Sequence, residues 1–215
     1  MVARREGSAR VRGRRERLES WVRRPLGELR VTRFDPGPLA APSAPLPDVE
    51  SAWRGHERVV PAIIERFGLG RSACLEFGVE FGYSTTVLAQ YFDRVVGVDL
   101  FMGDIHTAHT GDHFDETSAR LAPFENIELH RADYRDWISR DEATYDLIHV
   151  DIVHTYEDTF CCGLWSTQHA RCVLFHDTES FPDVRRAVID VAAASGRRFY
   201  NYEPHHGLGI VVAPA

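Results

Sequence analysis

The chain has 215 residues, of which 44% are hydrophobic, and no apolar run approaches the roughly 18 residues that a membrane-spanning helix needs. This length predicts one domain with short extensions. The formal net charge of −7 is unevenly distributed. Residues 1–33 contain 11 arginines and four glutamates, whereas residues 34–215 contain 14 arginines and 28 acidic residues. An acidic body argues against a dedicated nucleic-acid groove, because phosphate binding requires a positive surface.

The chain divides into three segments by composition. Residues 1–33 form a basic arm, which we expect to be a solvated tail, while contact with RNA, anionic lipid or an acidic partner stays open. The arm lacks the apolar stretch of a secretory signal. Residues 34–48 contain five prolines and predict an extended, semi-rigid linker. Residues 49–215 then form the folded domain.

The four cysteines predict a reduced, cytoplasmic protein. Cys74, Cys161, Cys162 and Cys172 lack the spacing of a metal site, and three of them fall inside predicted strands or helices. The adjacent pair at 161 and 162 leaves a redox role open, although a disulfide between neighbours closes a strained ring.

Hydrophobic patterns in residues 49–215 predict alternating strands and helices. The first helix begins near residue 49 and ends at Gly68, with a kink or a break at Pro61. Further helices are predicted at 84–92, 116–122, 134–140, 155–168 and 182–194. Buried strands are predicted at 73–77, 95–100, 127–130, 145–151 and 171–176, and a closing pair at 198–202 and 208–212.

This order predicts an α/β fold, a Rossmann-like three-layer sandwich with helices on both faces of a seven-stranded, mostly parallel sheet. The last two strands are joined by a short turn, so they must form an antiparallel hairpin. In such a sheet, ligands gather at the carboxyl ends of the strands. Those ends carry mostly acidic residues and histidines, namely Glu76, Asp99, Asp133, Asp151, His176 and Asp177, with His205 and His206 on the hairpin.

Residues 74–86 read as a strand, a glycine turn and the start of a helix. Gly78 and Gly82 let the backbone approach a ligand, and the helix that follows directs unpaired N–H groups into the turn. Asp99 lies 21 positions after Gly78, close to the spacing of about 20 at which an acid binds a ribose hydroxyl. The turn lacks the third glycine of a dinucleotide site. The pattern therefore predicts a nucleotide-type cofactor with a carboxylate and positive centres.

On these residues the body, roughly 49–214, resembles a class I S-adenosylmethionine-dependent methyltransferase. Residues 76–82 are similar to the first motif of that family, Asp99 to its ribose-binding acid and residues 132–134 to its adenine-side segment. The resemblance implies the strand order 3-2-1-4-5-7-6, with strand 7 antiparallel. Ser84 also occupies the expected N-cap position of the helix. The residues implied to bind S-adenosylmethionine are Glu76, Gly78, Val79, Gly82, Ser84, Asp99, Leu100, Asp133 and Tyr134.

Within that class, residues 151–157 and 175–178 resemble metal-dependent sugar and natural-product O-methyltransferases and the relatives assigned to cephalosporin hydroxylation. This resemblance implies methyl transfer to a hydroxyl of a small molecule, with Mg²⁺ or Mn²⁺ held by Asp151 and Asp177. His176 is an optional third ligand, because consecutive strand residues point to opposite faces. Strand-end groups that bind no ion are the alternative.

The chain has no lysine, which other members of the family use as the catalytic base. His154, three residues after Asp151, is the replacement that we predict, because an unperturbed imidazole pKa of about 6.5 suits proton removal near neutral pH. His154 and Asp151 are therefore the predicted catalytic residues. The alternative for His154 is a histidine at a helix start that bonds a neighbouring carbonyl or Glu157. His149 is expected to point into the core.

Other functions stay open. A metal-dependent hydrolase or oxygenase on the same fold would use the same acids and histidines without a methyl donor, and a catalytically silent protein would keep only the cofactor turn. The loop 101–115 carries His106, His109 and His113, a set compatible with a metal site, a lid or an ordinary polar loop. The expected partner is a hydroxylated small molecule, and a homo-oligomer stays open.

Overall fold

The computed structural model describes residues 31–39, 41–103 and 111–214. Predictions for residues 1–30 and for His106 and His109 lie outside the described residues. Within the described part, eight strands form one sheet: β1 (Thr32–Arg33), β2 (Cys74–Phe77), β3 (Val95–Asp99), β4 (Ile127–Arg131), β5 (Tyr145–Val150), β6 (Ala170–His176), β7 (Arg198–Tyr202) and β8 (Leu208–Val212).

The described helices are α1 (Val60–Phe67), α2 (Tyr83–Ala89), α3 (Phe114–Leu121), α4 (Tyr134–Ile138), α5 (Tyr156–His169) and α6 (Pro182–Ser195). A short 3-10 turn, His56–Arg58, precedes α1. None of the described helices is both long enough and apolar enough to cross a membrane.

The strand order across the sheet is β1-β7-β8-β6-β5-β2-β3-β4. Strand β8 is antiparallel to both of its neighbours, and all other pairs are parallel. Apart from β1, this is the predicted order. The predicted number of seven strands is wrong by one, because β1 adds a two-residue edge strand beside β7. Two polar residues carry no alternating apolar pattern, so the sequence contains no signal for this strand.

The described part of the proline-rich segment lies along the domain. Phe34 is 1% exposed, and its ring lies 6.1 Å from that of Phe67. Leu39 and Leu46 pack against the same core. No helix or strand forms in the described residues between 34 and 48, where prolines remove backbone donors.

The first helix is shorter than predicted. Helix α1 begins at Val60, and Pro61 lies in its first turn, where the N–H that proline lacks would have no partner. Pro61 therefore starts the helix instead of kinking it. Gly68 ends the helix in the left-handed conformation, with a φ of 55°, as predicted.

Helices cover both faces of the sheet. Helices α1 and α2 share one core with Cys74 and Leu147, whereas α5 and α6 share the other with Leu75 and Ile148. Because alternate strand residues point to opposite faces, each central strand is apolar along most of its length. The three-layer α/β prediction is confirmed.

All four cysteines are free, and only Cys161 is exposed. Burial raises the pKa of the Cys162 thiol, which keeps it protonated. The adjacent pair forms no disulfide.

Candidate active site

A cleft of about 560 Å³ runs along the carboxyl ends of the parallel strands. One end is lined by residues that follow β2, β3 and β4, and the other by residues that follow β5 and β6. Val150 is in register with both Phe77 and Phe175. Gly78 and Asp151 therefore leave the sheet at the same level.

The glycine turn is packed against the end of β5. Gly78 has a φ of 88°, and a Cβ atom at this position would lie 1.6 Å from the carbonyl oxygen of Asp151. A Cβ at Gly82, with a φ of 82°, would lie 2.8 Å from Leu121. A side chain at Gly78 would displace the backbone of Asp151, and the positive φ favours glycine at both positions. Gly78 itself lines the cleft.

The predicted N-cap is wrong by two residues. Helix α2 begins at Tyr83, and Gly82 occupies the N-cap position without a side-chain hydrogen bond. Ser84 is buried inside the first turn, and neither Ser84 nor Val79 lines the cleft. Because Gly82, in the left-handed conformation, already precedes the first helical residue, Ser84 lies too late in the chain to act as the N-cap.

Glu76 lies in the core, whereas the resemblance implies a cofactor contact. Its fully buried carboxylate accepts hydrogen bonds from Thr85 Oγ1 and, at 2.9 Å, from His149 Nδ1. Trp53 Nε1 donates to His149 Nε2 at 3.0 Å. An indole N–H can only donate, so His149 is neutral with its proton on Nδ1. The Trp53–His149–Glu76 chain thus joins residue 53 to the centre of the sheet, and His149 points into the core as predicted.

Asp99 lines the cleft and holds the glycine turn. Its Oδ2 accepts hydrogen bonds of 2.8 Å from the N–H groups of Val79 and Glu80. Its Oδ1 accepts one of 2.7 Å from the N–H of Phe101. Each carboxylate oxygen has two acceptor sites, so Oδ1 retains one for a hydroxyl in the cleft.

Leu100, Asp133 and Tyr134 line the same end of the cleft. Leu100 is 49% exposed and offers an apolar surface there. Asp133 caps α4 and lies 3.1 Å from Arg135. Burial, together with the hydrogen bond to Asp158, raises the pKa of Tyr134. The structure thus brings these three predicted residues together beside Asp99.

Asp151, His176 and Asp177 converge at the other end. Nδ1 of His176 lies 3.1 Å from Asp151 Oδ2 and 3.2 Å from Asp177 Oδ2. One ligand atom from each residue lies within 4.8 Å of the others. Asp177 has a φ of 63°, so the chain turns directly after His176 and both side chains reach the same point. The alternation of strand faces therefore does not separate them.

The cluster places two carboxylates against imidazoles. Burial by itself raises the pKa of Asp151, but the positive charge of His176 outweighs it and holds that pKa well below its usual range. Burial also raises the pKa of Asp177, but close contacts with His154 and His176 bring it down to about 2. For His176, burial lowers the pKa, and the charge of Asp151 overcomes this and raises it to about 10. Both acids are therefore ionised and His176 retains a proton.

His154 lies beside this cluster. Its Nε2 is 2.9 Å from Asp177 Oδ2 and 3.5 Å from Asp151 Oδ1, and its ring stacks on Phe181 with centroids 4.1 Å apart. Burial lowers the pKa of His154, but the two carboxylates outweigh it and raise the pKa to about 9. The expectation of an ordinary imidazole pKa is therefore wrong for these surroundings.

Sequence reasoning missed one wall of the cleft, formed by Glu50, Ser51 and Ala52 and called the 50–52 wall below. The sequence pattern predicts a helix there, whereas the chain is irregular. Ser180 and Phe181 also line the cleft, because the chain turns at Asp177. No sequence motif marks the 50–52 wall or the pair Ser180 and Phe181.

His113 is the one histidine of the 101–115 loop within the described residues. It lines the cleft and is 8% exposed, with Nδ1 3.1 Å from the carbonyl of Gly111. Among the described residues, His113 belongs to no group that could hold a metal. Phe101 is fully buried against Val79 and Leu121.

Comparison with known proteins finds a family model that matches the region containing the cleft. Residues 75–178 match the model of a family described as a methyltransferase domain. The matched range is just under half of the chain. The matched range contains the glycine turn, Asp99 and the whole Asp151–His176–Asp177 cluster. A search of curated protein sequences finds no match.

Solved structures share the fold of this chain. CalS10 from Micromonospora echinaspora, an amino pentose methyltransferase of calicheamicin biosynthesis with bound S-adenosylmethionine, is 12% identical over 75% of this chain and 92% of its own, with a TM-score of 0.56. A Klebsiella pneumoniae protein assigned as an O-methyltransferase is 15% identical over 79% and 84%, with a TM-score of 0.55. Methanococcus jannaschii fibrillarin, a pre-rRNA processing protein, is 13% identical over 74% and 76%, with a TM-score of 0.50.

The family match and the fold both agree with the resemblance to class I, S-adenosylmethionine-dependent methyltransferases. Five of its nine implied cofactor residues line the cleft, namely Gly78, Asp99, Leu100, Asp133 and Tyr134. The other four, Glu76, Val79, Gly82 and Ser84, do not line the cleft, and the side chains of Glu76, Val79 and Ser84 are buried.

Proposed function

We propose that the methyltransferase domain methylates a hydroxyl group of a small molecule, with a divalent cation beside the acceptor oxygen. The observation that carries this proposal is one cleft that holds both the Gly78–Asp99 end and the Asp151–His176–Asp177 cluster. A methyl donor at the first end and a hydroxyl at the second would face each other, and such alignment supplies much of the rate enhancement of a displacement reaction.

The Gly78–Asp99 end offers the groups that S-adenosylmethionine requires. Oδ1 of Asp99 can accept from a ribose hydroxyl, and the exposed side chain of Leu100 can contact the adenine face. Gly78 lines the cleft, so the methionine part can lie against the backbone of the turn. Bound S-adenosylmethionine supplies an activated methyl group, so the residues of the cleft need only orient it.

The other end fits a divalent cation. Nδ1 of His176 is buried and makes no hydrogen bond of good geometry, although two carboxylate oxygens lie within 3.2 Å of it. Three ligand atoms that lie within 4.8 Å of one another suit a shared ion. One imidazole with two carboxylates favours Mn²⁺ over Mg²⁺, which prefers oxygen ligands. A bound cation would lower the pKa of the acceptor hydroxyl.

His154 is the proposed base. Its ring is held by Phe181, and its Nε2 contacts the carboxylates of Asp177 and Asp151. These contacts hold a proton on His154, so neutralising the charge of the two carboxylates releases it. Nε2 of the neutral ring can then accept the hydroxyl proton.

The charge of the cleft disfavours phosphorylated acceptors. Among its described lining residues Arg135 is the sole arginine, and it pairs with Asp133 and Asp158. Carboxylates line both ends, and a negative lining repels anions. Because this fold occurs both in an amino pentose methyltransferase and in a pre-rRNA processing protein, the proposed acceptor rests on the cleft and not on the fold.

Calorimetry with S-adenosylmethionine in Mn²⁺, Mg²⁺ or EDTA tests the proposal. We expect the methyl donor to bind in all three conditions. S-adenosylhomocysteine should form from a panel of hydroxylated small molecules only where a cation is present. No binding of S-adenosylmethionine at millimolar concentration would refute the proposed activity.

Substitution of the acids tests the role of the cation. Asp151→Asn and Asp177→Asn should abolish cation-stimulated turnover while leaving the affinity for S-adenosylmethionine nearly unchanged. Asp183→Asn, an exposed change on α6, is the matched control and should retain both. Full activity of the two cleft variants would show that the cation is not catalytic.

A further inference from the structure

Asp158 is a charged residue to which the proposed methyl transfer assigns no role. It lies in the first turn of α5 and does not itself line the cleft. Its Oδ1 accepts a hydrogen bond of 2.5 Å from the hydroxyl of Tyr134 and another from Nη2 of Arg135. Its Oδ2 accepts one of 2.7 Å from Oγ1 of Thr155. Asp158 therefore joins the Gly78–Asp99 end of the cleft to the segment that follows β5.

Arg135 bridges Asp158 and Asp133, and we call these three residues the Arg135 bridge. Nη2 of Arg135 contacts Asp158, and Nη1 lies 3.1 Å from Oδ2 of Asp133. Burial raises the pKa of Asp158, but hydrogen bonds from Tyr134 and Thr155 outweigh it and lower that pKa, so Asp158 is ionised. One guanidinium cannot neutralise two carboxylates, so the bridge retains a net negative charge.

Asp133 faces the part of the cleft that a nucleotide base would occupy. The N–H of Ala132 donates to the carbonyl of Asp99 at 2.9 Å, so Asp133 lies beside the acid proposed to bind the ribose. Asp133 and Leu100 both line the cleft. Among the described residues, Oδ2 of Asp133 accepts one hydrogen bond, from Nη1 of Arg135. A carboxylate oxygen has two acceptor sites, so Oδ2 retains one, which suits the amino group of adenine.

We propose that Asp158 is a positioning residue that makes the cleft selective for adenine as the base of the methyl donor. It holds Nη2 of Arg135 and so prevents the guanidinium from pairing with Asp133 through both of its outer nitrogens. One acceptor site of Asp133 stays open to the adenine amino group. The inference rests on the proposed function, because S-adenosylmethionine must bind at the Gly78–Asp99 end. Asp158 acts through Arg135 and does not touch the cofactor.

A neutral residue at position 158 would change the Arg135 bridge in two ways. The guanidinium would lose one partner and turn both outer nitrogens to Asp133, which fills the open site of Oδ2. The net negative charge of the bridge would also disappear, and hydrogen bonds to an ionised acceptor are the stronger ones. Both changes weaken the bond to the adenine amino group.

Calorimetry of the full chain with two ligands tests the inference. The probes are S-adenosylhomocysteine and S-inosylhomocysteine, in which a carbonyl oxygen replaces the amino group. Wild type should bind the adenosine form at least about tenfold more tightly, because the inosine form sets an acceptor against a carboxylate. Asp158→Asn should bring the two dissociation constants to within about threefold of each other, mainly by weakening the adenosine form.

Two further variants separate this role from a structural one. Asp141→Asn is the matched control, because Asp141 also accepts a hydrogen bond from a tyrosine, Tyr145, at 2.8 Å but does not line the cleft. It should keep the wild-type ratio of dissociation constants. Arg135→Met, added to Asp158→Asn, removes the guanidinium that covers Asp133 and should restore most of that ratio. A residue that only supports the fold would weaken both ligands alike and gain nothing from the second change.

Arg135→Met in the otherwise wild-type chain covers the case in which Asp158→Asn does not fold. It leaves Asp133 and Asp158 in place without the competing guanidinium. The preference for the adenosine form should be at least as strong as in wild type. A weaker preference would overturn the inference.

The outcomes separate this inference from the proposed function. Wild type that binds both probes with equal affinity would overturn the role of Asp158 and leave the proposed methyl transfer intact. An unchanged ratio in a folded Asp158→Asn variant would do the same. Wild type that binds neither S-adenosylmethionine nor S-adenosylhomocysteine would overturn the proposed function and the inference with it.

Discussion

Nε2 of His154 lies 2.9 Å from Oδ2 of Asp177, so the proposed base and a proposed cation ligand are in direct contact. The carboxylates hold a proton on His154 against the effect of burial, and a pKa of about 9 means that the ring is charged near neutral pH. A base that acts at neutral pH must first lose this proton. The state of Asp177 therefore controls the state of His154.

Cation binding is expected to release protons. The pKa values of His176 and His154 are about 10 and about 9, so both rings are protonated at pH 7. A cation at Asp151, His176 and Asp177 requires a neutral His176. Mn²⁺ affinity should therefore rise between pH 7 and pH 9, by up to about tenfold per pH unit for each proton released. Calorimetry in buffers of different ionisation enthalpy counts the protons, and a count of zero at pH 7 would contradict this expectation.

In EDTA, the domain is expected to lose stability at alkaline pH. The folded pKa values of His154 and His176, about 9 and about 10, lie above the ordinary value of 6.5. Their contribution is therefore complete below pH 6.5 and is lost as the pH rises through 9 to 10. Thermal unfolding should show a falling Tm between pH 7 and pH 10. His154→Gln should make the fall shallower, and an unchanged slope would show that this histidine is not involved.

At acidic pH the dependence of stability on pH has the opposite sign, and the domain is expected to lose stability as the pH falls. The pKa of Asp177 is about 2, below its ordinary value of 3.8. The stabilisation from this carboxylate is therefore complete above pH 3.8 and is lost as the pH falls towards 2. Asp177→Asn should flatten the acid limb of the same Tm curve, whereas a parallel acid limb would assign acid unfolding to other groups.

Gly78→Ala is expected to disable the cofactor end of the cleft. The new Cβ would lie 1.6 Å from the carbonyl oxygen of Asp151, so the turn must move. Gly68→Ala is the matched control, because Gly68 also has a positive φ, 55°, but no atom within 4 Å. Both changes carry a backbone strain of about 1 to 2 kcal/mol. Only Gly78→Ala should weaken S-adenosylmethionine binding, by at least about tenfold, or 1.4 kcal/mol. Equal losses in calorimetry would trace the effect to strain alone.

Trp53→Phe is expected to destabilise the domain. The change keeps an aromatic ring but removes the indole donor, which leaves Nε2 of His149 buried without its partner. Such a loss typically costs about 1 to 3 kcal/mol, which urea unfolding can resolve. Trp165→Phe, in the core on the other face of the sheet, controls for the loss of ring area. A similar cost for both variants would mean that the hydrogen bond contributes little.

The sequence predicts the strands and their ends well, because buried parallel strands are continuous apolar runs whose ends meet at one edge, and the family resemblance implies their order. It therefore places Asp99, Asp151 and Asp177 in one cleft. It fails where a local turn decides the direction of a side chain. The left-handed backbone at Asp177, which has no glycine signature, brings His176 and Asp177 to the same point.

Contacts between residues that are distant in the sequence account for the other wrong predictions. The pKa of His154 depends on carboxylates that follow two different strands. Glu76 faces the core because Thr85 and His149 supply its hydrogen bonds. The 50–52 wall lies in a stretch whose helix-like apolar spacing does not produce a helix. A local pattern contains none of this information.

The Trp53–His149–Glu76 chain also limits how ligands enter and leave. Its three side chains are at most 2% exposed, and residue 53 directly follows the 50–52 wall. That wall cannot swing outwards unless hydrogen bonds in the centre of the protein break. The 50–52 wall should therefore keep its position while methyl donor, acceptor and products exchange, which fixes the shape of that side of the cleft.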